Sequence, residues 1–288
     1  MLASLVVALV VTSSADASSQ LDQHKTYDVG SGVVLVCAGT KNSAGGFDPH
    51  DCDVQRDGKV VASHLDIFMP EYARASKSGA HLFSVRRDES GDEALVITDL
   101  ATGQSTQGQP SRGIWLIPSP DGARAILNWM GKNQMSNGEY ERASYLMDLE
   151  SGASRLIPTV EYDRGWSRDS SSFWWETRGL NTKHDVIFLN KVGIDPKDDA
   201  IYPIQATWNY VFDIETGLVA WQSLACVADG CRGANDLLVQ SIHGGAVVKV
   251  ATQTRDFKAK WLPNHKLEYR VATSIKSWSP SGSMVQAP

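Results

Sequence analysis

The sequence predicts an all-β fold. Three observations carry that expectation: short runs rich in β-branched and aromatic residues recur after residue 30, no long amphipathic helix interrupts them, and two turn signatures alternate along the chain. The runs are Val33 to Cys37, Ala94 to Thr98, Tyr145 to Met147, Phe173 to Trp175, Val186 to Leu189, Tyr210 to Phe212 and Ala246 to Val250, set apart by Gly, Asp, Ser and Asn. With 288 residues, 42% apolar and 21% charged, the chain fits neither a disordered tail nor a multi-spanning membrane protein. Its 33 acidic against 27 basic residues, net charge -6, argue against a general nucleic-acid-binding surface.

The first fourteen residues, MLASLVVALVVTSS, are apolar but too short to span a bilayer, and Ala15-Asp16-Ala17 follows as an A-x-A cleavage pattern. Residues 1–17 are therefore expected to be a secretory signal peptide, although no Lys or Arg precedes Lys25, and 18–288 a single domain. In an exported chain the four cysteines read most simply as two local disulfides, Cys37 with Cys52 and Cys226 with Cys231, out of three possible pairings. Neither spacing is C-x2-C, and no H-x3-5-H cluster accompanies them, so zinc is not expected.

One turn recurs as Ser76-Lys77-Ser78-Gly79, Ser119-Pro120-Asp121-Gly122, Ser167-Arg168-Asp169-Ser170 and Ser279-Pro280-Ser281-Gly282, the last two preceded by Trp166 and Trp278. A second follows each of the first three: Asp99 to Gly103, Asp148 to Gly152 and Asp213 to Gly217. Proline presets the first central φ, aspartate accepts from nearby N–H groups, and glycine takes positive φ. A period in the forties with two turns per unit suits a four-stranded antiparallel blade.

W-S-P-D-G, an apolar strand, then D-L-x-T-G resembles the β-propeller repeats of the TolB type, also found in the propeller domains of prolyl-oligopeptidase-like enzymes. The resemblance covers residues 74 to 222 best. It implies a propeller of about five four-stranded blades, alternatively six, and places Trp166 and Trp278 between blades. Blades are expected over 72–109, 113–158 and 163–222, the last enlarged by an insertion from Asn181 to Ile204, with a further unit over 236–271. Val33 to Val36, Cys52 to Val54 and Lys59 to Ala62 read as a blade lacking its first strand, and the chain stops soon after Ser279 to Gly282 begins a new repeat. Closure of the ring by strands from both chain ends is therefore expected.

Catalytic motifs are scarce. Gly165-Trp166-Ser167-Arg168-Asp169 fails the G-x-S-x-G elbow at its fifth position, and His243-Gly244-Gly245 reads as a hairpin turn. Asp48, His50, Asp51 and Asp53, around Pro49 and Cys52, are a Ca²⁺ candidate whose plainer reading is a solvated acidic loop; no other cofactor is expected. Trp174 and Trp175 must face opposite ways on a strand, so one of them, beside Arg178 or Arg164, could stack on a peptide or a sugar. Asn128 to Tyr140, with Trp129 and Tyr140, reads as a polar recognition loop. These features favour a secreted or periplasmic, noncatalytic propeller that binds a protein or peptide through a rim or the central channel. The alternative is a glycan-active hydrolase or lyase with channel-mouth carboxylates and Trp platforms.

Overall fold

The computed structural model describes residues 23–41, 47–179, 186–204, 210–223 and 234–280. Their strands form six antiparallel sheets, each a meander in which every strand pairs with the next in the chain. The first holds β1 (Gln23–Gly30), β2 (Val33–Lys41), β3 (Phe47–Arg56) and β4 (Lys59–Leu65); the second holds β5 (Arg74–Ala75), β6 (His81–Arg87), β7 (Glu93–Asp99) and β8 (Ser105–Gln107). The third is β9 (Gly113–Pro118), β10 (Arg124–Gln134), β11 (Tyr140–Asp148) and β12 (Ser154–Ile157). The fourth is β13 (Tyr162–Trp166), β14 (Ser172–Gly179), β15 (Val186–Gly193) and β16 (Ala200–Ile204). The fifth is β17 (Tyr210–Asp213), β18 (Leu218–Gln222), β19 (Asn235–Ser241) and β20 (Gly244–Gln253), and the last has three strands, β21 (Lys260–Trp261), β22 (Leu267–Val271) and β23 (Ser274–Trp278).

The middles of second strands such as β6, β14 and β18 are buried on both faces, which explains runs such as Phe173 to Trp175 and Leu218 to Trp221. Five buried clusters fill the spaces between consecutive sheets. Leu35 and Leu82 meet between the first and second sheets, Phe83 and Leu116 between the second and third, and Ile126 and Phe173 between the third and fourth. Trp174 and Val219 lie between the fourth and fifth, Leu237 and Leu267 between the fifth and sixth. First strands of neighbouring sheets adjoin, β1 beside β5 and β17 beside β21.

Both turn signatures act as expected from local chemistry. Ser119 Oγ donates to Asp121 Oδ1 at 2.7 Å and accepts from the Arg124 N–H at 3.0 Å; Ser167 repeats this with Asp169 and Ser172 at the same distances. Ser167 is buried inside that turn, so its hydroxyl is structural. Asp99 and Asp148 each accept two backbone N–H groups, and Gly103, Gly152 and Gly217 take φ of 69°, 72° and 64°.

Four expectations are corrected. The supposedly missing first strand is β1, so the first sheet needs no complement; residues 281–288, part of the expected closing repeat, lie outside the described residues, and among the described residues no sheet mixes strands from the two chain ends. The outward positions Glu268 and Arg270 of β22 are polar, unlike the faces that pack elsewhere. Residues 163–222 are not one unit: part of the expected insertion is β15 and β16, and Asp213 to Gly217 joins the first two strands of the fifth sheet rather than closing the fourth. Likewise 236–271 is divided between the fifth and sixth sheets. Most of Asn128 to Tyr140 is the extended β10, leaving only Met135 to Glu139 as a turn. The expected signal peptide at residues 1–17 and the expected Cys226–Cys231 pair lie outside the described residues.

Cys37 and Cys52 face each other across β2 and β3 and are disulfide-bonded. Their sequence separation of 15 predicts that replacing both by alanine costs about 2–4 kcal/mol without preventing folding. Urea unfolding of oxidised, reduced and double-variant protein checks this.

Candidate functional site

Trp174 and Trp175 do point to opposite faces, but each is only 1% exposed because a sheet covers both sides of β14. The expected ligand platform is therefore withdrawn. Trp175 Nε1 donates to the Thr159 carbonyl at 3.1 Å, and Trp174 stacks on Tyr202. Trp129 is half-buried over Gly131, where a Cβ would stand 2.8 Å from its ring. Trp166 fulfils its implied role: its Nε1 bonds the Ile117 carbonyl of the previous sheet at 3.0 Å. Trp278 packs at 6.4 Å from Trp261.

Asp48, His50, Asp51 and Asp53 lie on strand β3 rather than in a loop, because this segment pairs with β2. Asp51 accepts or shares a proton with His64 Nδ1 at 3.1 Å, and Asp53 receives the His64 N–H at 3.4 Å; both contacts are exposed. The side chains of Asp48 and His50 are outside the described set, and among the described residues no group of three His, Cys, Asp or Glu could hold a metal.

Arg178 and Tyr140 instead belong to a larger arrangement at one end of the strands. In a meander, the ends of second strands and the beginnings of first and third strands share one rim. On that rim Arg87 covers Phe68 at 3.4 Å, Arg112 covers Tyr140 at 4.3 Å, Arg164 covers Tyr210 at 4.7 Å and Arg178 covers Tyr162 at 5.0 Å. Each guanidinium spreads over a ring whose quadrupole attracts it.

Glu176 organises the best-defined region of this rim. Its side chain is fully buried on β14, with Arg178 Nε at 2.9 Å from Oε1 and with Arg164 Nη2 and the Tyr210 hydroxyl on Oε2. Arg164 reaches it from a β-bulge between Asp163 and Gly165, the extra residue turning its side chain out of regular alternation. Burial opposes ionisation of Glu176, but donation from Tyr210, Arg178 and Arg164 outweighs it and holds the carboxyl below its ordinary value. Burial and then the adjacent carboxylate push the Tyr210 phenol far upward. Glu93 acts similarly in the second sheet, pairing with Arg87 and accepting the Ile114 N–H at 2.8 Å.

These bonds leave donors over. Among the described residues Arg178 uses only Nε, Arg164 only Nη2, and the Arg112 guanidinium has no hydrogen-bond partner. Tyr162 is 51% exposed and Trp115, on β9, 45% exposed. Sequence reasoning missed Trp115, Arg112 and Tyr162. Gly113-x-Trp115 offered one signal, since the Trp115 ring lies where a Gly113 Cβ would come within 2.9 Å.

At the opposite end the acids are engaged in turns. Backbone N–H groups of Thr102 and Ala101 lower Asp99, that of Ser151 lowers Asp148, and the Ser167 hydroxyl lowers Asp169. Each described carboxyl that departs from ordinary behaviour does so downward, opposite to the shift a glycosidase acid requires.

No protein-family model and no curated protein matches the chain. Solved structures are similar to it. Tricorn protease aligns at 12% identity and a TM-score of 0.41, over 88% of this chain and 29% of that one. The β-propeller domain of the Trilobed protease from Pyrococcus furiosus, described as having an open velcro topology, aligns at 14% and 0.42, over 90% and 81%. TolB from Acinetobacter baumannii aligns at 15% and 0.33, over 80% and 57%. The chain thus spans under a third of tricorn protease, and TolB and peptidase propellers are among its structural neighbours.

Two outcomes follow from the packing. Trp174→Ala should lower the unfolding free energy by about 3–5 kcal/mol, as expected for an emptied core position. Glu176→Gln should cost about 1–3 kcal/mol at pH 7. Since the folded carboxyl lies below the ordinary 4.5, its contribution is complete above that pH and fades as pH falls through the folded value, so the gap to wild type should narrow in acid. Denaturant titrations at several pH values test both.

Proposed function

We propose that this is a secreted or periplasmic, noncatalytic β-propeller whose six sheets are its blades and whose arginine-aromatic rim binds a protein or peptide partner. The observation that carries the reading is the set of four arginines spread over rings at one rim, two of them held by the fully buried Glu176 while retaining unused donors. Such forks are fixed before a partner arrives, so little side-chain entropy remains to be lost. They suit carboxylates, and exposed Tyr162 and Trp115 suit the apolar portions of an extended segment. A cationic patch on a chain of net charge -6 selects an acidic segment locally rather than polyanions in general.

The Cys37–Cys52 disulfide supports an oxidising compartment, as does the expected leader. Among the described residues no helix is long and apolar enough to cross a membrane. The glycan-enzyme alternative gains no support from the turn carboxylates, which are committed to hydrogen bonds and lowered rather than raised.

Pull-down of the exported chain from its native host, beside a glycan array, tests the reading. Arg112→Ala with Arg178→Ala should weaken the captured protein's binding about tenfold or more, and added salt should weaken wild-type binding. Lys276→Ala, on β23 of the sixth sheet and away from the arginine-aromatic contacts, should change nothing. Equal capture by the double variant, or turnover of an array glycan, would overturn the proposal.

A further inference from the structure

A cavity of about 380 Å³ opens at the turn end of the first three sheets, away from the arginine-aromatic rim. β1, β5 and the β9–β10 turn converge on it, and its size falls at the small end of the range typical of small-molecule sites. Three charged residues border it: Asp28 of β1, Arg74 of β5 and Asp121 of the Ser119 to Gly122 turn.

Arg74 is half-buried, and burial lowers its pKa although nearby Asp28 opposes the shift. Its Nη1 donates to the carbonyls of Glu71, at 2.8 Å, and Ala73, which fixes the plane of the guanidinium. Among the described residues it has no carboxylate partner, and Nε and Nη2 have no acceptor. Asp28 accepts the Gly30 N–H on Oδ1 at 2.9 Å and leaves Oδ2 unengaged among the same residues. Asp121 accepts from Ser119 and Ala123 at 2.7 and 3.1 Å; burial opposes its ionisation, but these bonds, with the charge of nearby Lys77, outweigh it and hold the carboxyl below its ordinary value.

Asp28 lies near the half-buried Arg74 guanidinium without hydrogen-bonding it, so the open Nε and Nη2 can still take an incoming carboxylate. A simple anion would meet the charge of Asp28 and Asp121, and a simple cation would meet Arg74. Only a ligand carrying both signs is complementary to all three. We propose that this cavity binds a free short peptide as its zwitterion, the α-carboxylate on Nε and Nη2 of Arg74 and the α-ammonium against Asp28 and Asp121. Pro118, half-buried at the edge of the cavity, leaves room beside it for small apolar side chains.

Titration calorimetry with alanyl-alanine on the full exported chain tests this. Binding is expected for the free dipeptide and should fall at least about tenfold for its N-acetyl and its C-amide derivatives. Asp28→Asn, which keeps the acceptor for Gly30, and Arg74→Gln should each weaken binding to the same degree, with circular dichroism confirming the fold. Absence of binding at millimolar dipeptide, equal binding of the blocked derivatives, or unchanged binding by Asp28→Asn would each overturn the proposal. Capture of a rim partner is a separate readout, so failure here leaves the rim reading standing.

Discussion

The inner strands of the second to fifth sheets are apolar on both faces, so none of these sheets can be stable by itself. That need for a neighbour on both faces is the constraint from which the remaining structure follows. It explains why β14 can carry Phe173, Trp174 and Trp175 in succession, all buried, with Trp174 given to one interface and Trp175 to the other. It also explains why the ties between sheets are polar and directional. The indole N–H of Trp166 reaches the Ile117 carbonyl on β9, and that of Trp261 reaches the Val211 carbonyl on β17, one sheet back in each case. A large ring fills the gap while its single donor fixes the sheets' relative position.

The turn end completes this linkage. Glu150 accepts from the N–H and hydroxyl of Ser78, and Glu215 accepts the Arg168 N–H at 2.6 Å, so a carboxylate of one sheet closes a turn of the preceding one. The Asp121 N–H also donates to the Ser170 hydroxyl of the next sheet's turn at 3.1 Å, joining successive turns. Polar groups there are largely occupied with each other, which suits support rather than chemistry.

How much of this is legible in the sequence depends on the range over which each feature is determined. The Ser119 to Gly122 and Asp148 to Gly152 turns are readable because their hydrogen bonds close within six residues. The Cys37–Cys52 pair is readable as a local bridge for a related reason. Sheet membership is harder: Asp213 to Gly217 has the same local chemistry as the other turns, yet pairing with β19 makes it the first turn of a new sheet. Exposure is hardest, since whether Trp174 is a platform or core depends on Tyr202 and Phe212, far along the chain. Sequence proximity sets Arg178 beside the wrong partner, Trp174 or Trp175; its real context, Glu176, Arg164 and Tyr210, requires a bulge and an adjacent sheet that no periodicity reveals.

The two ends of the strands therefore differ in how fully their charges are satisfied. At the turn end, aspartates and glutamates accept bonds from backbone N–H groups that would otherwise be orphaned, and their ionisation is tied to the fold. At the other end, Glu176 engages some donors of each neighbouring guanidinium and leaves the rest directed outward. The same buried carboxylate thus has two effects. It neutralises arginines that would otherwise repel one another near an apolar interface, and it sets their forks in fixed positions over Tyr162 and Tyr210. Stability alone would be served as well by apolar side chains at these positions, so the open donors held over the rings give this rim its specific chemistry.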